Sequence, residues 1–190
     1  MGRRADDIPP PPPVVQRVVL LGYMASGKST VGAALARRLE WSFLDFDVEI
    51  EQREGPTVKE LIESVGETGF REREAALTVE AAAATRLVMS PGGGWITRPE
   101  LLGMLGAETL RVWLRVSVDE TVHRLREDTI ARPFKELADP TPMIAQMLAE
   151  REPLYRLADI SIPADTRSVE SIAFEIEQMV RTRAGCAAQV

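Results

Sequence analysis

Apolar residues along this chain fall into two patterns. Short, largely apolar runs recur at Val18 to Leu21, Phe43 to Asp45, Arg86 to Met89, Leu110 to Val116 and Asp159 to Ile162. Between them, apolar positions return every three or four residues, as in Val31, Leu35 and Leu39 after the first run and Val169, Ile172, Ile176 and Val180 near the end. The first pattern predicts strands buried on both faces, the second helices with one buried face. Their alternation predicts an α/β fold: a five-stranded parallel sheet covered on both sides by helices, three layers α/β/α, joined by right-handed crossovers. The last run alternates at Ile160 and Ile162, as an edge strand does.

The ends lack both patterns. Residues 1–16 are charged and then carry five consecutive prolines, a stiff extended rod that builds no core, so they are expected to be a tail. Residues 17–183 are expected to form a single domain, and the terminal AGCAAQV a disordered end. Composition narrows the function. A net charge of −6 argues against a nucleic-acid binder, which needs Lys and Arg against phosphates. One cysteine, Cys186, and one histidine, His123, leave no internal disulfide or Cys/His zinc site and argue against Cys/His or Ser/His catalysis. No apolar run approaches a membrane span and no signal peptide is visible, so the expectation is a cytoplasmic protein without membrane contacts, a monomer.

The first motif is GYMASGKS at residues 22–29, matching G-x-x-x-x-G-K-[ST] between a predicted strand and a predicted helix. Backbone N–H groups of such a loop converge on phosphate oxygens at a helix N-terminus. The candidate nucleotide contacts are therefore Ala25, Ser26, Gly27, Lys28, Ser29 and Thr30, with the Lys28 charge at the β- and γ-phosphates and the Ser29 hydroxyl on Mg²⁺. In LDFDVEIEQREG, residues 44–55, an extended backbone turns Asp45 and Asp47 to one side, so one carboxylate can reach Mg²⁺ and the other a substrate hydroxyl. The alternative is that Asp47 only N-caps a helix.

Two arginines stand out, because a planar fork matches a carboxylate or a phosphate in two-point contact. Arg71 lies three residues before Glu74 on one predicted helix face, and Arg151 precedes the expected helix stop at Pro153. Residues 127–141 hold Arg132-Pro133 and a further stop at Pro140, a loop of lid length that can carry Arg132 to the transferring phosphate. Three consecutive glycines at 92–94 then ask for a close approach of main chain.

Taken in order, GYMASGKST, LDFDVEIEQREG, GETGFREREA, PGGG, the Arg-Pro loop and REPLYR resemble the shikimate kinase family, from about Val18 to Met179. The resemblance implies a P-loop kinase fold of the nucleoside monophosphate kinase type with a mobile lid, ATP and Mg²⁺ as cofactors, and shikimate as the small-molecule partner. It implies catalytic roles for Lys28, Asp47 and Arg132, metal contact by Ser29 and Asp45, and acceptor binding by Asp47, Arg71, Gly93, Gly94 and Arg151. Arg124 is implied to flank the adenine, with Arg167 a second candidate at its edge. By the same resemblance, the glycines let main chain approach the acceptor ring. Several positions depart from the family pattern: Ala25 replaces the commoner glycine, at little expected cost, Trp95 follows the glycines where a small residue is usual, and Phe134-Lys135 stands where two leucines often follow Arg-Pro. Trp95 either narrows the acceptor pocket or packs away from it. Beside shikimate phosphorylation, two readings remain: the same fold acting on gluconate or a nucleotide, and a catalytically silent nucleotide-binding module.

Overall fold

A computed structural model of the chain describes residues 14–127 and 138–187. Strands β1 (Arg17–Leu21), β2 (Ser42–Asp45), β3 (Leu87–Ser90), β4 (Thr109–Arg115) and β5 (Ile160–Pro163) form one sheet of order β2-β3-β1-β4-β5. Every pairing is parallel, as the doubly apolar runs predict. Strand β5 lies at an edge, as its alternation predicts.

Because side chains alternate along a strand, each face of the sheet builds its own core. Val18 and Leu20 face helices α1 (Lys28–Leu39) and α7 (Val169–Ala187), joining Leu35, Ile172 and Ile176. Val19 and Leu21 face the opposite way, toward α2 (Phe46–Glu54), α3 (Val58–Ala83) and the short α4 (Glu100–Met104). The result is the expected three-layer arrangement. A third, smaller cluster joins Tyr23 to Val122, Leu125 and Ile144 of helices α5 (Val118–Glu127) and α6 (Thr141–Tyr155), on either side of residues 128–137.

The expected domain limits shift at both ends. Val15 is 4% exposed and belongs to the core, while Gln16 bonds through its backbone to Glu108 and Leu87 on the two neighbouring segments. Val15 and Gln16 therefore belong to the folded unit instead of a tail, since Val15 buries its apolar surface in the core while Val14 stays 38% exposed. At the other end, α7 runs on to Ala187, because its backbone ladder continues past the last buried position, Val180. Two helix expectations also change. Pro153 does not stop α6, which reaches Tyr155, and Pro140 caps the start of that helix. A proline one turn from a helix end costs little, because only the last turn has to absorb the missing N–H.

Candidate active site

All five strands are parallel, so their carboxyl ends gather at one edge, where open α/β sheets bind ligands. Three of those ends build the site. β1 runs into the glycine-rich loop 22–27, β2 ends at Asp45, and β3 runs into Pro91 and the three glycines.

The loop is shaped for anions. Gly27 is the N-cap of α1 at φ 88°, a left-handed conformation that glycine takes freely. It supplies no side-chain cap, and the first turn of α1 holds no acidic residue, so the N–H groups at this positive helix end are left for a ligand. The Ser26 hydroxyl is buried without a hydrogen-bond partner, a further polar atom that the fold alone does not satisfy. Both observations fit a nucleotide phosphate. Lys28 Nζ donates to the carbonyls of Gly22 (2.9 Å) and Tyr23 (3.0 Å), and Lys28 lines the same crevice as Gly92, Gly93 and Tyr155. Ser29 and Thr30 are exposed in the first turn of α1. Ala25 takes φ 58°, so the alanine costs the loop about 1 kcal/mol that glycine would not, more than its sequence suggested.

Asp45 and Asp47 do not share an extended backbone. Asp45 ends β2 and is itself the N-cap of α2, its Oδ1 accepting from the N–H of Asp47 (3.1 Å) and of Val48 (3.4 Å). The cap considered for Asp47 thus falls to Asp45. Asp47, in the first helical turn, does not serve as the cap and lies beside Gly92.

There the structure revises the reason for three glycines. None of them has a left-handed φ, and what a Cβ would strike is the protein's own site instead of open acceptor space. At Gly92 it would lie 2.9 Å from Glu74 Oε1 and 3.0 Å from Asp47 Oδ1; at Gly93, 3.2 Å from the Met24 nitrogen of the phosphate loop; at Gly94 it would fall on Arg71 Nη2. The triplet is the hub on which the two halves of the site meet. Since the atom in the way at Gly94 is the tip of a flexible side chain, Gly94→Ala is expected to leave the fold intact but drive Arg71 from its place. Steady-state kinetics should show the acceptor KM raised about tenfold, as for loss of one charge-assisted contact, with the KM for ATP little changed.

Arg71 and Glu74 follow Gly66, whose φ of 76° breaks α3 and re-aims its second half. Arg71 Nη1 donates to Glu74 Oε2 at 2.6 Å and Nη2 to Glu67 Oε1 at 2.9 Å. Burial pulls the Arg71 guanidinium down, but the two carboxylates more than offset it and leave it raised. Glu74 is fully buried and its Oε1 has no hydrogen-bond partner. Burial pushes its carboxyl up to about 7, against the lowering pull of Arg71 and with help from the Asp47 charge.

A carboxyl raised in the folded state stabilises below its unfolded value of about 4.5, and that contribution is lost as pH rises through about 7. Urea unfolding across this window should therefore show wild type losing roughly 3 kcal/mol relative to Glu74→Gln. A flat difference would show Glu74 ionised throughout.

On the other side of the glycines, Arg151 Nη1 (3.3 Å) and the Tyr155 hydroxyl (3.0 Å) both donate to the Gly93 carbonyl. They are one turn apart on α6, and Tyr155 stacks on Trp113 of β4. Tyr155 was missed in the sequence, because a helix read as stopping at Pro153 leaves no second turn for it. Trp95 is anchored in the core, 1% exposed with its Nε1 donating to Thr78 Oγ1 at 2.9 Å, and from there it lines the inner side of the crevice that holds Lys28, Gly92 and Tyr155.

Arg124 reaches the loop, donating to the carbonyls of Ala25 (3.3 Å) and Asp165 (3.1 Å). Arg167 does not. Its guanidinium is committed to Ser171 (2.9 Å) and Glu175 (2.6 Å) on α7, because those carboxylate and hydroxyl partners lie one and two turns along the adjoining helix. Arg132 and the lid expected around it lie outside the described residues, apart from the lid's two ends. Among the described residues no helix is long and apolar enough to cross a membrane.

A model of the family described as "Shikimate kinase" matches residues 24–181. The shikimate kinase of Pseudomonas savastanoi pv. phaseolicola is 39% identical over 163 residues, 85% of this chain and 94% of that protein. The crystal structure of the Acinetobacter baumannii shikimate kinase in complex with shikimate superposes with a TM-score of 0.80 at 33% identity, covering 88% of this chain and 94% of that one. A gluconokinase from Sinorhizobium meliloti, at 18% identity and a TM-score of 0.61, shares the fold alone. The match of the family model spans both the glycine-rich loop from Met24 onward and the residues gathered on the three glycines, and this chain belongs to the shikimate kinase family.

Proposed function

We propose that this chain transfers the γ-phosphoryl group of ATP to the 3-hydroxyl of shikimate, giving shikimate 3-phosphate and ADP, and that it does so as a cytoplasmic monomer. One observation carries the reading: Gly92, Gly93 and Gly94 hold the phosphate loop, an Asp47–Glu74–Arg71 cluster and Arg151 within van der Waals reach of one turn. A phosphate cradle beside two arginines suits a donor polyphosphate and an acceptor that carries a carboxylate.

In this reading the loop N–H groups and Lys28 hold the β- and γ-phosphates. Ser29, with Asp45 through water, would hold Mg²⁺, which neutralises charge on the phosphates when bound. Arg71 and Arg151 take the shikimate carboxylate. Asp47 orients the hydroxyl and accepts its proton late, because a loose transition state asks little of a base. Arg124 lies against the nucleotide, and Arg132 belongs to the proposed lid.

The test is ADP release from MgATP in a coupled assay with shikimate, gluconate or nucleoside monophosphates. Release with shikimate alone is the expected result. Release with another acceptor would replace the acceptor, and nucleotide binding with no release would leave a silent module.

A further inference from the structure

The phosphate loop contains one aromatic side chain, which no part of nucleotide binding requires. Tyr23, second in GYMASGKS, is 2% exposed and packs among Val122, Leu125 and Ile144 of α5 and α6. Its hydroxyl donates to Met147 Sδ at 3.2 Å. The Arg151 guanidinium lies over its ring, Cζ 5.5 Å from the centroid. The backbone of the same residue lies on the acceptor side, since a Cβ on Gly93 would come within 3.5 Å of the Tyr23 carbonyl carbon.

We infer that Tyr23 is a positioning residue for the acceptor: its ring face fixes the plane of the Arg151 guanidinium, so that the phosphate loop itself sets the carboxylate clamp. The inference rests on the reading of Arg151 as that clamp. The Gly93 carbonyl at 3.3 Å and the Tyr155 hydroxyl hold the guanidinium from one side only. An aromatic face attracts the cation from a second direction and is itself locked by helix packing and by Met147. An arginine held in this way loses little freedom when it takes a carboxylate in two-point contact, and that lowers the entropy cost of acceptor binding.

Tyr23→Leu is expected to raise the acceptor KM about fivefold and to keep the KM for ATP within about twofold, while Tyr23→Phe retains the ring and stays near wild type. The leucine variant also changes packing, so a shape-conserving series is the sharper test. Phenylalanine carrying one, two and three ring fluorines at position 23 withdraws charge from the ring face, and the acceptor KM should climb with each fluorine. A flat series overturns the inference.

Arg151→Met separates the inference from the reading beneath it. It should raise the acceptor KM more than tenfold and abolish any further effect of Tyr23→Leu. If Tyr23→Leu weakens acceptor binding equally in both backgrounds, Tyr23 does not act through Arg151. If Arg151→Met leaves the acceptor KM unchanged, the clamp reading falls and takes the inference with it.

Discussion

Lys28→Ala is expected to lower kcat by about a thousandfold, with the melting temperature changed by only a few degrees. The ammonium rests on the carbonyls of Gly22 and Tyr23, at the loop's own entrance, and so stands ready beside the place where phosphates bind. Moving from neutral carbonyl oxygens to phosphate oxygens replaces ordinary hydrogen bonds by charge-assisted ones of roughly twice the strength. Because charge on the transferring group is greatest in the transition state, the loss should fall on kcat more than on the KM for ATP. Lys28→Arg is not expected to rescue, since a broad planar fork does not replace a point charge inside a tight loop. Steady-state kinetics beside calorimetric nucleotide binding decide the matter. A kcat within tenfold of wild type would remove Lys28 from the chemistry.

Much of this site could be read in the sequence because its parts are local. A glycine loop between an apolar run and a helical pattern predicts that Gly27, Lys28 and Ser29 stand at a helix start, and α1 begins at Lys28 as that pattern requires. The apolar runs of β1, β3 and β4 likewise found their strands, since a parallel strand buried on both faces shows as a nearly unbroken apolar run, while the edge strands β2 and β5 are only partly buried. What the sequence concealed is tertiary. Asp45 and Asp47 looked equivalent in an extended segment, and only the start of α2 at Phe46 gives one the cap and the other the site. The three glycines announced a close approach but not its partner, because Glu74, Met24 and Arg71 come from elements far apart along the chain. Pro153 and the residues after the proline run were read by local rules that packing overrode, through Tyr155 in one case and Val15 in the other. The partners of Arg167 were hidden for a similar reason: Ser171 and Glu175 come into reach only once α7 forms, one and two turns along it.

Asp47→Asn is expected to reduce kcat by about a hundredfold or more while MgATP still binds. The amide keeps the shape of the side chain, and the helix cap is untouched because it belongs to Asp45. What disappears is the negative charge that would orient the acceptor hydroxyl and take its proton. A second, independent effect follows from the neighbours. Asp47 helps hold the Glu74 carboxyl up, so an uncharged residue at 47 should lower the Glu74 value and shift its loss of stability toward lower pH. Kinetics and pH-dependent unfolding on one variant therefore read the same charge twice. Unchanged turnover with a shifted unfolding profile would place Asp47 beside Glu74 but outside the reaction. A fall in turnover with an unshifted profile would keep its catalytic role and remove the electrostatic link across Gly92.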